Sequence, residues 1–117
     1  MFEQIDHIVY NNDVVLFMKG IKSMPQCGFS SKVAGALNYI DVDFADIDVL
    51  SDEQLRGEIK EYSDWPTIPQ LYVKGEFVGG CDIITEMMLS GEMEELLDAN
   101  NISYNKEATA KLKEANQ

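Results

Sequence analysis

The chain is short of positive charge: nine lysines and arginines face twenty-one acidic residues, a formal net charge of −12. Such a balance leaves no general attraction for nucleic acid or for anionic membrane surfaces. An anionic ligand would have to be gathered by a few local cations, so each one near a reactive group matters. Cysteine is equally scarce, with only Cys27 and Cys81, and histidine is represented by His7 alone. Two cysteines do not build the disulfide framework of a small secreted domain. Nor do these three residues make a four-ligand metal site within one chain, so a thiophilic metal would need ligands from outside. No apolar run approaches the length of a bilayer span. The stretch Met1-Phe2-Glu3-Gln4-Ile5-Asp6 has acids where an export signal has bases, which points to a cytoplasmic protein.

What is present is an ordinary soluble composition, 45% hydrophobic and 26% charged over 117 residues, enough for one core. Phe2, Ile5, Ile8 and Val9 recur at helical spacing until Asn11-Asn12-Asp13. Val14 to Met18 is apolar without alternation, which predicts a strand buried on both faces. Gly20 to Ser23 reads as a loop, and Val33, Ala34, Leu37 and Ile40 place a helix after Cys27. Phe44 to Ile47 reads as the next strand, completing a βαβ unit with a right-handed parallel crossover. Ser51-Asp52-Glu53-Gln54 has the spacing of a capping box, with Ser51 as the cap of a helix carrying Leu55, Ile59 and Tyr62.

Pro66 and Pro69 forbid a helix, and Gln70–Val73 with Glu76–Val78 read as a hairpin turning at Lys74-Gly75. A helix opens at Cys81-Asp82 and carries Ile83, Ile84, Met87 and Met88; a shorter one follows Gly91. Residues 1–100 thus read as one domain and 101–117 as a polar tail, loosely held and in part helical. A βαβ unit followed by a ββα unit predicts an α/β, thioredoxin-like fold: a four-stranded mixed sheet with helices on both faces.

Strand, turn and helix together leave Cys27 at a helix N-terminus, where unpaired N–H groups and the helix dipole favour a thiolate. Lys19, at the end of the strand, can add charge to the same place. A buried cysteine that merely precedes a helix is the plain alternative. A dithiol oxidoreductase carries its resolving cysteine where this chain has Ser30, and a hydroxyl cannot attack a disulfide at neutral pH. Cys81 could serve as a distant partner, although a structural or ligand-contacting role fits it better. One-thiol exchange or ligation of a soft metal therefore remains for Cys27. Phe29 reads either as a neighbour of the thiolate or as a core anchor, and Trp65 with Pro66 as a wall beside Thr67. His7 reads as surface or packing, and Met87, Met88 and Met93 as apolar filler.

Four separated stretches agree in order and spacing with one family. Lys19, Pro25-Gln26-Cys27-Gly28-Phe29-Ser30, Trp65-Pro66-Thr67-Ile68-Pro69-Gln70 and Gly79-Gly80-Cys81-Asp82 resemble the monothiol glutaredoxins of the Cys-Gly-Phe-Ser class, over roughly Glu3 to Leu97. The resemblance implies a catalytic and metal-ligating Cys27 and a glutathione site built also from Gly28, Phe29 and Thr67. It implies that Lys19 and Arg56 hold the glycine carboxylate, where Arg56 alone would read as a solvated surface charge. It further implies a cis bond before Pro69, so that the Ile68 backbone pairs with the cysteinyl unit like an added strand. Backbone at Gly80, Cys81 and Asp82 would then face the γ-glutamyl carboxylate, with the Asp82 side chain capping its helix or accepting from the ammonium.

A [2Fe–2S] cluster wants four thiolates. With one protein thiolate and one glutathione per subunit, the resembled cluster bridges a homodimer, and Gly28 leaves room for it. The implied function is iron–sulfur cluster transfer and biogenesis, with BolA-like proteins and iron–sulfur acceptor proteins as partners. A glutathione-dependent thiol–disulfide oxidoreductase acting on mixed disulfides through Cys27 is the alternative, and a thioredoxin-like interaction module without turnover is a third. The Gly20 to Met24 loop, longer than in dithiol glutaredoxins, favours the first.

Overall fold

A computed structural model describes residues 2–115. In chain order its elements are α1 (Glu3–Asn11), β1 (Val14–Met18), β2 (Gly20–Ile21), β3 (Met24–Pro25) and α2 (Gly28–Tyr39). Then come β4 (Ala45–Asp48), a 3-10 turn (Val49–Ser51), α3 (Glu53–Ser63), β5 (Gln70–Val73) and β6 (Glu76–Gly79). Three helices close the chain: α4 (Cys81–Ser90), α5 (Glu92–Ala99) and α6 (Lys106–Ala115).

β1 is the strand on which the others are laid. The main sheet runs β4-β1-β5-β6, with β1 parallel to β4 and antiparallel to β5. Val14, Leu16 and Met18 pack on one side against Val33 and Leu37 of α2 and Ile84 and Met88 of α4. Val15 and Phe17 pack on the other side against Ile5, Val9, Leu55, Ile59 and Tyr72. Covering both faces is what permits, and requires, an apolar run without alternation. The mixed sheet between helical layers is the expected α/β architecture. Lys74 and Gly75 both have positive φ, 52° and 83°, as a two-residue turn matched to strand twist needs.

Three local expectations are corrected. Gly20 to Pro25 is a small antiparallel hairpin, with Gly20 opposite Pro25 and Ile21 opposite Met24, where the sequence predicts a loop. Two-residue strands carry no readable periodicity. Gly20 sits at φ +90°, and a Cβ there would lie 2.6 Å from the Met24 carbonyl oxygen, so the hairpin demands glycine. Second, Ser51 does not cap α3. Asp52 does, its carboxylate accepting from the Leu55 N–H at 3.1 Å, while Ser51 closes the preceding 3-10 turn. An Asp adjacent to a Ser offers two cap candidates one register apart, and the charged acceptor wins at the positive helix end.

Third, the segment from Lys106 is not loosely held. α6 buries Ala108 and Thr109 and sends Leu112 against the α2/α4 core, while the Asn105 N–H donates to the Ile40 carbonyl at 2.7 Å. Its apolar residues are small and few, so sequence polarity conceals the docking. The last two positions of the expected tail, 116–117, lie outside the described residues. Replacing Asp52 by Ala should lower the unfolding free energy by about 1 kcal/mol, and Ser51→Ala by clearly less. Urea denaturation of the two variants checks the assignment; a larger loss from Ser51 would restore the capping box.

Candidate functional site

Cys27 is the residue immediately before α2, in extended backbone with φ −147° and ψ 138°. An extended residue feeding a helix leaves the first-turn N–H groups near its side chain. The Ser30 amide is the strongest of several influences that hold the Cys27 thiol below its ordinary pKa; the Phe29 amide, the charge of Lys19 and the Ser30 hydroxyl help. Desolvation opposes them, and the net shift is downward. Ser30 is fully buried, and its Oγ accepts from the Lys19 N–H at 3.0 Å, which leaves its proton free to face the sulfur. The Lys19 carbonyl accepts in turn from the Gln26 N–H at 2.9 Å. Lys19 is thereby held at both of its peptide units, by the residue before Cys27 and by the one three after it.

Cys27 opens onto a cleft of about 400 Å³. Its walls take in every site residue named from the sequence except Gly28: Lys19, Phe29, Arg56, Thr67, Ile68, Pro69, Gly80, Cys81 and Asp82. Trp65 and Pro66 line it as expected. Phe29 is 63% exposed on the rim, which excludes the core-anchor alternative. Gly28 begins the helix behind the sulfur, and a Cβ there would meet nothing within 4 Å. The protein's own packing therefore does not ask for glycine at that position.

The Ile68–Pro69 peptide bond is cis. Among the described residues, no backbone hydrogen bond engages Ile68, so its N–H and C=O are available to a chain laid alongside. Two cationic side chains, Arg56 and Lys60, come from α3, one turn apart on the same face. α4 also reaches the cleft, starting at Cys81 after Gly80; no side chain caps it, so the helix-capping role expected of Asp82 is not met and its first amides are unpartnered. The cleft thus gathers a thiolate-favouring sulfur, three cations, a helix N-terminus and a stretch of loop backbone whose amide and carbonyl are unengaged. Cations, free amides and unengaged backbone suit an extended anionic ligand.

Four residues escape the sequence reading. Lys60 and Ile83 line the cleft; the spacing of Lys60 four after Arg56 was the available signal. Gln70, fully buried, donates from Nε2 to the carbonyls of Trp65 at 3.1 Å and Thr67 at 3.2 Å, holding the proline loop in shape. Ser30 shows in the sequence only as a missing thiol. Gly80 also has a local reason to be glycine: a Cβ there would lie 3.2 Å from the buried, unpartnered Trp65 Nε1 and 3.3 Å from the Pro69 carbonyl.

Among the described residues, no group of three or more His, Cys, Asp or Glu side chains could hold a metal ion. Cys27, half-buried and thiolate-favouring, fits as one ligand of a shared cluster and not as part of a site complete within the chain. No helix among the described residues is long and apolar enough to cross a membrane.

Because the folded-state pKa of Cys27 is depressed, its thiolate persists to lower pH than in the unfolded chain. The associated stability is present above the unfolded thiol pKa and is lost as pH falls through the folded one. Alkylation by iodoacetamide against pH should therefore give Cys27 a midpoint below that of the same thiol in urea. Lys19→Ala should raise that midpoint, and an unchanged value would remove Lys19 from the thiolate's surroundings.

A family model described as Glutaredoxin matches residues 14–78. The chain is 56% identical over 98 residues to the probable monothiol glutaredoxin 2 of Rickettsia conorii, covering 84% of this chain and 92% of that protein. It is 55% identical over 95 residues to an uncharacterized ycf64-like monothiol glutaredoxin of Synechocystis, covering 81% and 89%. The solution structure of a monomeric truncated mutant of Trypanosoma brucei 1-C-Grx1 superposes with a TM-score of 0.83 at 38% identity, covering 89% of this chain and 94% of that one. A single thiol at the head of α2, a serine where a second would stand and a match spanning most of the sheet agree with these relatives: the chain belongs to the glutaredoxin family and to its monothiol class.

Proposed function

We propose that this protein binds glutathione in the Cys27 cleft and carries a labile [2Fe–2S] cluster shared between two copies, for delivery to iron–sulfur acceptor proteins. The observation that carries the reading is the convergence on one cleft of a thiolate-favouring Cys27, the Lys19, Arg56 and Lys60 cations, the free Ile68 backbone and the start of α4. In this reading Lys19 and Arg56 take the glycine carboxylate. The Ile68 N–H and C=O pair with the cysteinyl unit, and the Cys81 and Asp82 amides take the γ-glutamyl carboxylate. Glutathione so held lays its sulfur beside Cys27. Two protein–glutathione pairs then supply the four thiolates that the cargo needs. Open space about Gly28 suits the approach of a bulky group. Ligands that belong to no chain make the cluster easy to surrender, as a carrier requires. BolA-like partners and a cytoplasmic location, in keeping with its bacterial relatives, belong to the same proposal.

A second reading rests on the depressed Cys27 pKa, which suits nucleophilic exchange. The Cys27 thiolate would attack the glutathionyl sulfur of a protein–glutathione mixed disulfide, and the protein thiolate would leave. A second glutathione thiolate would then attack the Cys27-bound glutathione, releasing oxidised glutathione and restoring Cys27. No second protein thiol enters that cycle, in keeping with Ser30.

Anaerobic reconstitution with iron, sulfide and glutathione, followed by visible absorption and sizing, separates the two. A coloured dimer that forms only when glutathione is present is expected. Cys27→Ser should abolish both the colour and thiol exchange, and Cys81→Ser should leave the cluster largely intact. A coloured dimer surviving loss of Cys27 would overturn the ligand assignment. Turnover of a glutathionylated peptide without any cluster would favour the enzyme.

A further inference from the structure

The hairpin β2–β3 is bolted to the edge of the main sheet by two carboxylates. Asp46 and Asp48 alternate along β4 with Ala45 and Ile47, whose side chains join the core on the other face. The Asp48 Oδ1 accepts from the Gly20 N–H at 2.9 Å and from the Leu50 N–H at 2.9 Å. The Asp46 Oδ2 accepts from the Lys22 N–H at 2.8 Å. Lys22 points its ammonium away from the cleft, donating to the Phe44 carbonyl at 2.8 Å and lying 4.7 Å above the Phe44 ring. Neither aspartate lines the cleft. Yet Gly20 is the residue after Lys19, and the hairpin ends at Pro25, two residues before Cys27.

We propose that Asp48, assisted by Asp46, is a positioning residue: by anchoring the hairpin to β4 it sets where the Lys19 ammonium stands relative to the Cys27 sulfur. The physical case is one of leverage. Lys19 is held at its own N–H by Ser30 and at its carbonyl by Gln26, and both partners belong to the α2 side. Lys19 enters from β1, whose Met18 pairs with Asp48, so its incoming side is already set by the sheet; the hairpin that leaves it needs a hold of its own. Asp48 supplies that hold through the Gly20 N–H. One carboxylate oxygen joins the peptide leaving Lys19 to the peptide that turns β4 toward α3, the helix bearing Arg56 and Lys60. Hydrogen bonds from amides to a charged acceptor are shorter and stronger than neutral ones, and here two share one oxygen. Without it, the peptide leaving Lys19 is held by the Gln26 N–H alone.

The proposal rests on the glutathione reading above, and the experiment keeps the two apart. In the full chain, Asp48→Ala, Asp48→Asn, Lys19→Ala and the double variant Asp48→Ala/Lys19→Ala are compared. The readouts are glutathione affinity by calorimetry, the Cys27 alkylation midpoint, and amide hydrogen exchange at Gly20 and Lys22. Asp48→Ala should weaken glutathione about tenfold, the loss of one well-placed ionic contact. It should also raise the Cys27 midpoint and speed exchange at Gly20. Asn keeps an oxygen acceptor and should stay within about threefold of wild type. In the Lys19→Ala background, Asp48→Ala should change affinity by less than about twofold, because its effect passes through Lys19.

Wild-type affinity and midpoint in a folded Asp48→Ala variant would overturn the proposal. So would fully additive losses in the double variant, which would mark a merely structural residue. If the wild-type chain fails to bind glutathione, the proposed function falls, and the alkylation midpoint and exchange rates still decide the positioning role. Should Asp48→Ala not fold, Asp46→Ala removes only the Lys22 anchor. It should give the same pattern in smaller degree, and its absence there counts against the proposal.

Discussion

The Ser30 side chain ties the reactive sulfur to the charge beside it. Sealed beneath the first turn of α2, it faces Cys27 with one hydrogen and receives the Lys19 amide on its oxygen. Both contacts are short-ranged, so any displacement of α2 against the end of β1 breaks them together. Packing prevents that displacement: Val33 and Leu37 of α2 sit against Leu16 and Met18 of β1, all buried. Sulfur chemistry at the surface is thus referred directly to the buried core between β1 and α2. A thiolate kept in place by backbone amides and a buried hydroxyl needs no nearby histidine, and the chain's single histidine lies elsewhere, on α1.

Sheet topology explains why distant segments meet. β4 and β6 run in the same direction as β1, and β5 runs against them. The chain therefore leaves β1 at Lys19, leaves β4 toward α3, enters β5 from Pro69 and leaves β6 at Gly80, all at one end of the sheet. Crevices beyond the carboxyl ends of strands are where α/β folds bind ligands, because loops and helix N-termini collect there. Gln70 then shapes the loop from inside, and Trp65, tilted against Phe77 at 5.8 Å, closes the wall.

Much of this was legible in the residues. β1 announced itself by an unbroken apolar run, and α2 and α4 by their spaced Val, Leu, Ile and Met. The cleft was legible only through motif resemblance, since Lys19, Arg56 and Asp82 taken singly are surface charges and Pro69 taken singly is trans. What stayed hidden has common physical causes. The β2–β3 hairpin is held by side chains from β4, a long-range dependence that no local window contains. α6 docks through Ala108 and Leu112, too sparse to register against its lysines and glutamates. Ser51 and Asp52 compete for one cap, and the outcome depends on how the 3-10 turn delivers the chain. Lys60 was within reach, one helical turn from Arg56.

The occupant of position 30 is also a constraint on evolutionary change. A thiol in place of the Ser30 hydroxyl would be a bulkier group and a weaker acceptor at a fully enclosed site. The Lys19 amide would lose its partner, and the cation's placement would slacken as the second sulfur arrived. In this scaffold a resolving cysteine and a firmly seated lysine compete for the same few cubic ångströms. Descendants seeking a two-thiol cycle would have to rebuild the segment between β1 and α2 as well as exchange a single atom.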